Sequence, residues 1–131
     1  MSRENVELVR QAVDAYNRQD APGGLALFRP DVELDWTHSR GPLKGAYQGH
    51  AGLELLWDEY WNTFDHVRLD AHDFIDAGTD ILVPNTARIR GRDGVEVTAD
   101  STFVYTVENG QIVRFRMFQD HAAALEAVGH G

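Results

Sequence analysis

Three turn signals in the second half of the chain restrict its fold more than any other feature. Gly78-Thr79-Asp80, Arg92-Asp93-Gly94 and Glu108-Asn109-Gly110 separate four segments rich in β-branched and aromatic residues. Asp-Gly and Asn-Gly tolerate the positive φ that a tight hairpin demands. Strands joined this closely pair antiparallel, because a parallel connection needs about a dozen residues or more. The segments run over Val67–Asp76, Ile81–Arg90, Val95–Val107 and Ile112–Gln119. Pro84 has no N–H to give a ladder, so it predicts an edge or a bulge in the second of them.

The first half is patterned differently. Ser2 with Glu4 and Asn5 marks a helix start, with acid near the positive end of the dipole. Val6, Val9, Val13 and Tyr16 then recur at helical spacing, to about Arg18. Asp20-Ala21-Pro22 breaks the chain and restarts it, with a short helix expected over Gly23–Phe28. Val32, Leu34 and Trp36 alternate with Glu33, Asp35 and Thr37, which predicts a strand. Ser39–Gly49 contains three glycines and a proline and is expected to be a loop. A third helix over His50–Phe64 carries Leu53, Leu56, Trp57, Tyr60, Trp61 and Phe64 on one broad stripe. His121–Val128 predicts a short last helix.

The order of elements gives an α+β fold. Its 131 residues suit one domain, 1–131, with no linker and no internal repeat. There is no cysteine, which excludes disulfides, thiolate nucleophiles and Cys-type metal sites. Acidic residues outnumber basic ones by 21 to 12, for a net charge of −9. That balance argues against nucleic acid, whose phosphates need Lys and Arg. No apolar run approaches the ~18 residues of a membrane span. No basic and apolar leader opens the sequence, so a cytoplasmic location without membrane contact is expected. No His-x-x-x-His pair or carboxylate–histidine pattern of metal type is present, so neither metal nor other cofactor is expected. His38 and His72 could hold a metal only by converging in space.

Three stretches, GHAGLELLWDEYW at 49–61, FIDAG at 74–78 and ENGQIVRFRMFQDHAAALEAVG at 108–129, lie in an order that resembles the nuclear transport factor 2-like superfamily. Within it the chain is most similar to the SnoaL-like, polyketide cyclase-like branch. The resemblance spans nearly the whole chain. It implies a cone: a strongly curved, mainly antiparallel sheet wrapped by the N-terminal helices around a pocket, an architecture also called a cystatin-like α+β barrel. It further implies a homodimer formed through the outer face of the sheet.

The resemblance also bears on chemistry. Ketosteroid isomerases place a general-base Asp late in the early strand, where Trp36 stands here. Asp35 lies one residue earlier, on the opposite strand face. Limonene epoxide hydrolases use two Asp and an Arg. Arg88 and Asp120 match two of these positions, but Arg90 replaces the remaining acid. SnoaL-like cyclases use an Asp near the end of the last strand, and Asp120 is the nearest match.

Asp120 is therefore the leading catalytic candidate. Arg114, Arg116, Phe118 and Asp120 share one strand face by the period of two. If that face is the inner one, aromatic surroundings raise the Asp120 pKa toward that of a useful base, while Arg116 opposes the shift. Equally, Asp120 suits the N-cap of the last helix. Arg88 or Tyr105 would stabilise oxyanion charge in an enzyme. Trp36, Trp57, Tyr60, Trp61, Phe103, Arg116, Phe118 and His50 are the candidate contacts for a substrate. Two readings stay open: an isomerase, cyclase or lyase that uses Asp120 as base on a small, largely apolar molecule, or a non-catalytic binding or dimeric accessory domain with the same pocket.

Overall fold

In the computed structural model, residues 2–38 and 43–129 are described. Residues 39–42 of the expected loop lie outside them. The chain begins with α1 (Ser2–Asn17) and α2 (Ala21–Leu25). Asp20 caps α2 through the Gly23 N–H, and Pro22 lies in its first turn. Gly24 is required here, because a Cβ at this position would meet the Trp57 ring at 2.7 Å.

The helix ends sooner than the sequence suggested. Phe28 already belongs to β1 (Phe28–Asp35), which continues through Pro30. Two partners that are distant in sequence explain this. β2 (Ala46–Gln48) pairs antiparallel with the end of β1, and β7 (Gln111–Phe118) runs parallel to it. The register with β7 slips between Phe28 and Glu33, around the proline. α3 (Gly49–Thr63) follows β2.

The expected strand over Val67–Asp76 is two pieces, β3 (His66–Ala71) and β4 (Ile75–Ala77). Both pair with β5 (Asp80–Arg90), and Pro84 falls opposite the gap between them. The Pro84 carbonyl accepts from the His72 N–H. The side on which proline lacks a donor therefore faces that gap, while its other side keeps register with Thr102. β5 and β6 (Glu96–Glu108) form the long hairpin, and β6 turns into β7 at Asn109-Gly110. Both turn residues have positive φ, 53° and 77°, as a primed turn requires. Helix α4 (His121–Ala127) ends the fold.

The seven-stranded sheet has the order β2-β1-β7-β6-β5-β3, with β4 beside β5. It is mixed and open: β2 and β3 end it and do not pair. The exposed edge at β3 is tied to α1 by Asn17, whose amide donates to the Leu69 carbonyl and accepts from the Leu69 N–H. Each strand sends alternate residues to opposite faces. The inner face carries Leu34, Leu69, Ile81, Val83, Tyr105, Phe115 and Met117, packed against Val9, Val13, Leu53, Leu56 and Trp57 of α1 and α3. The outer face carries a smaller cluster of Leu82, Val104 and Phe118 under Ala124 of α4.

Candidate functional site

Between the inner face and the helices lies a cavity of about 210 Å³. Trp57, Tyr60 and Phe64 wall it from α3, and Tyr16 from α1. Trp36, Phe103, Tyr105, Phe115 and Met117 wall it from the sheet, with Ser101 and Gln119 the polar side chains there. Arg68 reaches its edge but spends its guanidinium elsewhere, with Nε 3.0 Å from Asp70. Among the described residues, no Asp, Glu, His or Lys lines it.

The aromatic walls are built by register. Tyr105 is paired with Phe115 across β6 and β7, and Phe103 with Met117. Those positions place the Tyr105 and Phe115 rings in a stack 4.4 Å apart, with Phe103 edge-on to Phe115 at 5.1 Å. Trp36 sits edge-on to Phe115 at 4.9 Å. It projects inward because it follows Leu34 by two residues, while Asp35 points outward and accepts from the Thr37 N–H and hydroxyl. Burial works to raise the Asp35 pKa, but the two Thr37 bonds, with His38 and Arg114, bring it down on balance.

Three tyrosines line this space. Burial pushes the ionisation of Tyr16, Tyr60 and Tyr105 above the ordinary phenol range. Their mutual proximity adds to it, Tyr60 acting on Tyr16 and Tyr16 on Tyr105. Tyr105 is only 2% exposed. Among the described residues, the buried side-chain atoms without a hydrogen-bond partner are the indole nitrogens of Trp36 and Trp61 and Nε of Arg116. The Trp36 indole N–H faces the Tyr60 hydroxyl without reaching full hydrogen-bond geometry.

The residues chosen from the sequence divide between two places. Trp36, Trp57, Tyr60, Phe103 and Tyr105 meet at the cavity. Trp61 packs behind it, stacked on Trp57 at 5.5 Å and beside Tyr16. His50 lies at the start of α3, where its Nε2 donates to the Phe28 carbonyl at 2.9 Å. Arg116, Phe118, Asp120 and Arg88 belong to the other side of the sheet. Asp120 caps α4, its Oδ1 accepting the Ala122 N–H at 3.0 Å. Arg88 pairs with Asp70, which also holds Arg68, so one carboxylate bridges two arginines directly opposite on β3 and β5. Glu96 lies 3.8 Å from Arg88 as well. Arg116 is covered under the outer face and lies 3.7 Å from Asp80, itself bonded by the Thr106 hydroxyl. Burial and the neighbouring Arg114 lower the Arg116 pKa, against Asp80 and Asp35.

The histidines also stay apart. His72 bonds Thr86, His121 bonds Thr102, and His38 stacks on Phe118. No group of three or more potential metal-ligating side chains converges among the described residues. Tyr16, Phe115, Met117, Ser101 and Gln119 were not singled out from the sequence as site residues. The signal for Phe115 and Met117 was the uncharged phase of the last strand.

Known proteins share this architecture. A nuclear transport factor 2-like protein of unknown function from Burkholderia pseudomallei K96243 is 29% identical, with 96% of this chain and 98% of that one covered and a TM-score of 0.78. A nuclear transport factor 2-like protein from Burkholderia xenovorans LB400 is 26% identical, with 98% of each chain covered and a TM-score of 0.75. TerC, crystallised with polyporic acid, is 24% identical, with 95% and 98% covered and a TM-score of 0.78, and shows the fold alone. A comparison with curated proteins gave no match. The SnoaL-like domain family matches residues 9–115. On that match, which takes in both helical walls and the sheet through Phe115, the chain belongs to the SnoaL-like domain family.

Proposed function

We propose that this domain binds a small, largely apolar molecule in the inner cavity and does not abstract a proton from it. The observation that carries the reading is the cavity's composition: aromatic walls, a few hydroxyls, and no carboxylate or imidazole among the described lining residues. Concave apolar chambers with sparse polar groups are the usual form of small-molecule sites. A general base must come within hydrogen-bond reach of the proton it takes. Asp120, the leading candidate, spends its carboxylate on the α4 backbone, and Arg88 spends its guanidinium on Asp70. Of the three residues expected to carry catalysis, only Tyr105 lines the cavity.

The test is thermal unfolding against a panel of aryl ketones, lactones, steroids and polyphenolic quinones. The panel includes polyporic acid, the compound crystallised with TerC. A ligand at a hundred times its dissociation constant adds about 2.7 kcal/mol, a shift of several degrees in a domain this size. The reading predicts at least one such shift, with no consumption of the compound on prolonged incubation. Chemical conversion of the stabilising compound would overturn the non-catalytic part of it.

A further inference from the structure

The sheet has an open edge within its strand order, on β6. β7 pairs with β6 only as far as Phe118, opposite Thr102, whereas β6 itself begins at Glu96. The Gly91 N–H bonds the Val95 carbonyl and the Val107 N–H bonds the Thr79 carbonyl, so the odd-numbered residues of β6 direct their backbone groups to β5. Those of Glu96, Thr98 and Asp100 point the other way, where no strand pairs with them among the described residues. Residues 96–100 are all exposed. Beside this edge stand Val95 and Val97, at 59% and 58% exposure the most exposed large apolar side chains among the described residues. The edge at β3, by contrast, is tied to α1 by Asn17. An open edge with apolar side chains is a template for another strand.

We propose that a second copy of this chain adds its own β6 to that edge, antiparallel about a two-fold axis at Val97. Three constraints set the register. Inner-side residues must meet inner-side residues, because a slip of one position turns every side chain over. β7 occupies the edge from Thr102 onward, so the Arg92-Asp93-Gly94 turn of the second copy must stop short of it. Like charges directly opposite destabilise a pair, so Glu96 must face neither Glu96 nor Asp100. An axis at Val97 meets all three: Val97 faces Val97, Val95 faces Ala99, Glu96 faces Thr98 and Gly94 faces Asp100. An axis at Glu96 sets that residue against itself. An axis at Thr98 sets Glu96 against Asp100, and Gly94 against the Thr102 position that Phe118 already fills. The outer face is a poorer surface for a second copy: α4 covers Leu82, Val104 and Phe118, and Asp70 already holds Arg68 and Arg88. The pairing also reaches the cavity. Ala99 lines it, so Val95 of the second copy stands beside that wall. Five facing pairs bury less than the ~1,200 Å² of stable complexes, so the dimer is weak and reversible.

Sedimentation equilibrium and cross-linking test this. The wild type, followed from about 10 µM to about 1 mM to suit a small interface, is expected to show a monomer–dimer equilibrium. Val97→Lys sets two ammonium groups on the axis and raises the dissociation constant by roughly tenfold or more. The position is exposed, and urea unfolding checks that the variant is folded. The chain has no cysteine, so single-cysteine variants report proximity directly. Val97 falls at a pair without mutual hydrogen bonds, where facing Cβ atoms come closest. Under mild oxidation Val97→Cys therefore forms an intermolecular disulfide about tenfold faster than Thr98→Cys, which is exposed too but faces Glu96. A wild type that stays monomeric throughout overturns the proposal. So does a dimer that Val97→Lys leaves intact, which would place the interface on another surface, and so does cross-linking no faster at Val97 than at Thr98. None of these results touches the reading of the cavity as a small-molecule site.

Discussion

The two faces of one sheet carry opposite chemistry. On the inner face the strands present aromatic and aliphatic side chains to α1 and α3, and the indole N–H groups of Trp36 and Trp61 find no acceptor among the described residues. On the outer face the carboxylates are engaged: Asp70 with Arg68 and Arg88, Asp80 with Thr106, Asp100 with Thr86, Asp120 with the α4 backbone. A carboxylate committed to the fold is not free to act on a ligand, whereas the aromatic walls of the inner chamber enclose space. The residues with the most reactive side chains therefore stand on the outer face, and the enclosed space lies on the inner one.

That difference can be attacked from both sides. The largest effect is expected for Phe115→Ala, which removes the ring shared by Trp36, Phe103, Tyr105 and Phe28. Urea unfolding should show a loss of about 3–5 kcal/mol. A loss below 1 kcal/mol would mean that the inner face is not packed as described. Asp120→Ala comes next, at about 1 kcal/mol for the lost cap of α4.

The smallest effect belongs to Asp70→Asn. Its hydrogen bond with Arg88, first, and then Arg68 hold the Asp70 pKa below the ordinary carboxylate value. A depressed folded pKa means that the stabilisation is present above about pH 3.9, the unfolded value, and fades as pH falls through the lower folded one. The Asn variant should therefore lose less stability than the wild type on acidification from pH 5 to 3. Salt should shrink the gap, because the groups are exposed. A steeper acid loss in the variant would remove Asp70 from the bridging role.

Much of the fold was legible because its signals are local. The Asn109-Gly110 turn, the Asp20-Ala21-Pro22 break and the helical spacing of Val6, Val9 and Val13 each act within a few residues. Phe28–Asp31 and Ala46–Gln48 became strands for a reason no local window contains: their partners are Glu33–Asp35 and the remote β7. The break at His72–Phe74 is likewise the counterpart of Pro84, a strand away.

The site was half legible. Period 2 correctly separated Arg114, Arg116, Phe118 and Asp120 from Val113, Phe115 and Met117, but periodicity does not say which set faces inward. The charges do. Three of the four residues in the first set are charged and none in the second, and burying three ionised side chains costs far more than burying three apolar ones. Trp36 and Asp35 resolve on the same argument. Tyr16 was harder to find, since a tyrosine on an apolar helical stripe looks like core until the folded sheet leaves a cavity beside it.

The most direct test compares ligand binding between a cavity-filling variant and an outer-face variant. Ala87 lines the cavity from β5, and Ala87→Phe places a ring in its space. The strongest stabiliser from the thermal panel would be titrated by calorimetry into the wild type, Ala87→Phe and Asp120→Ala, after urea unfolding shows that each is folded. Affinity lost by tenfold or more in Ala87→Phe and kept in Asp120→Ala is the expected result. Affinity kept in Ala87→Phe and lost in Asp120→Ala would place the site on the outer face and contradict the account.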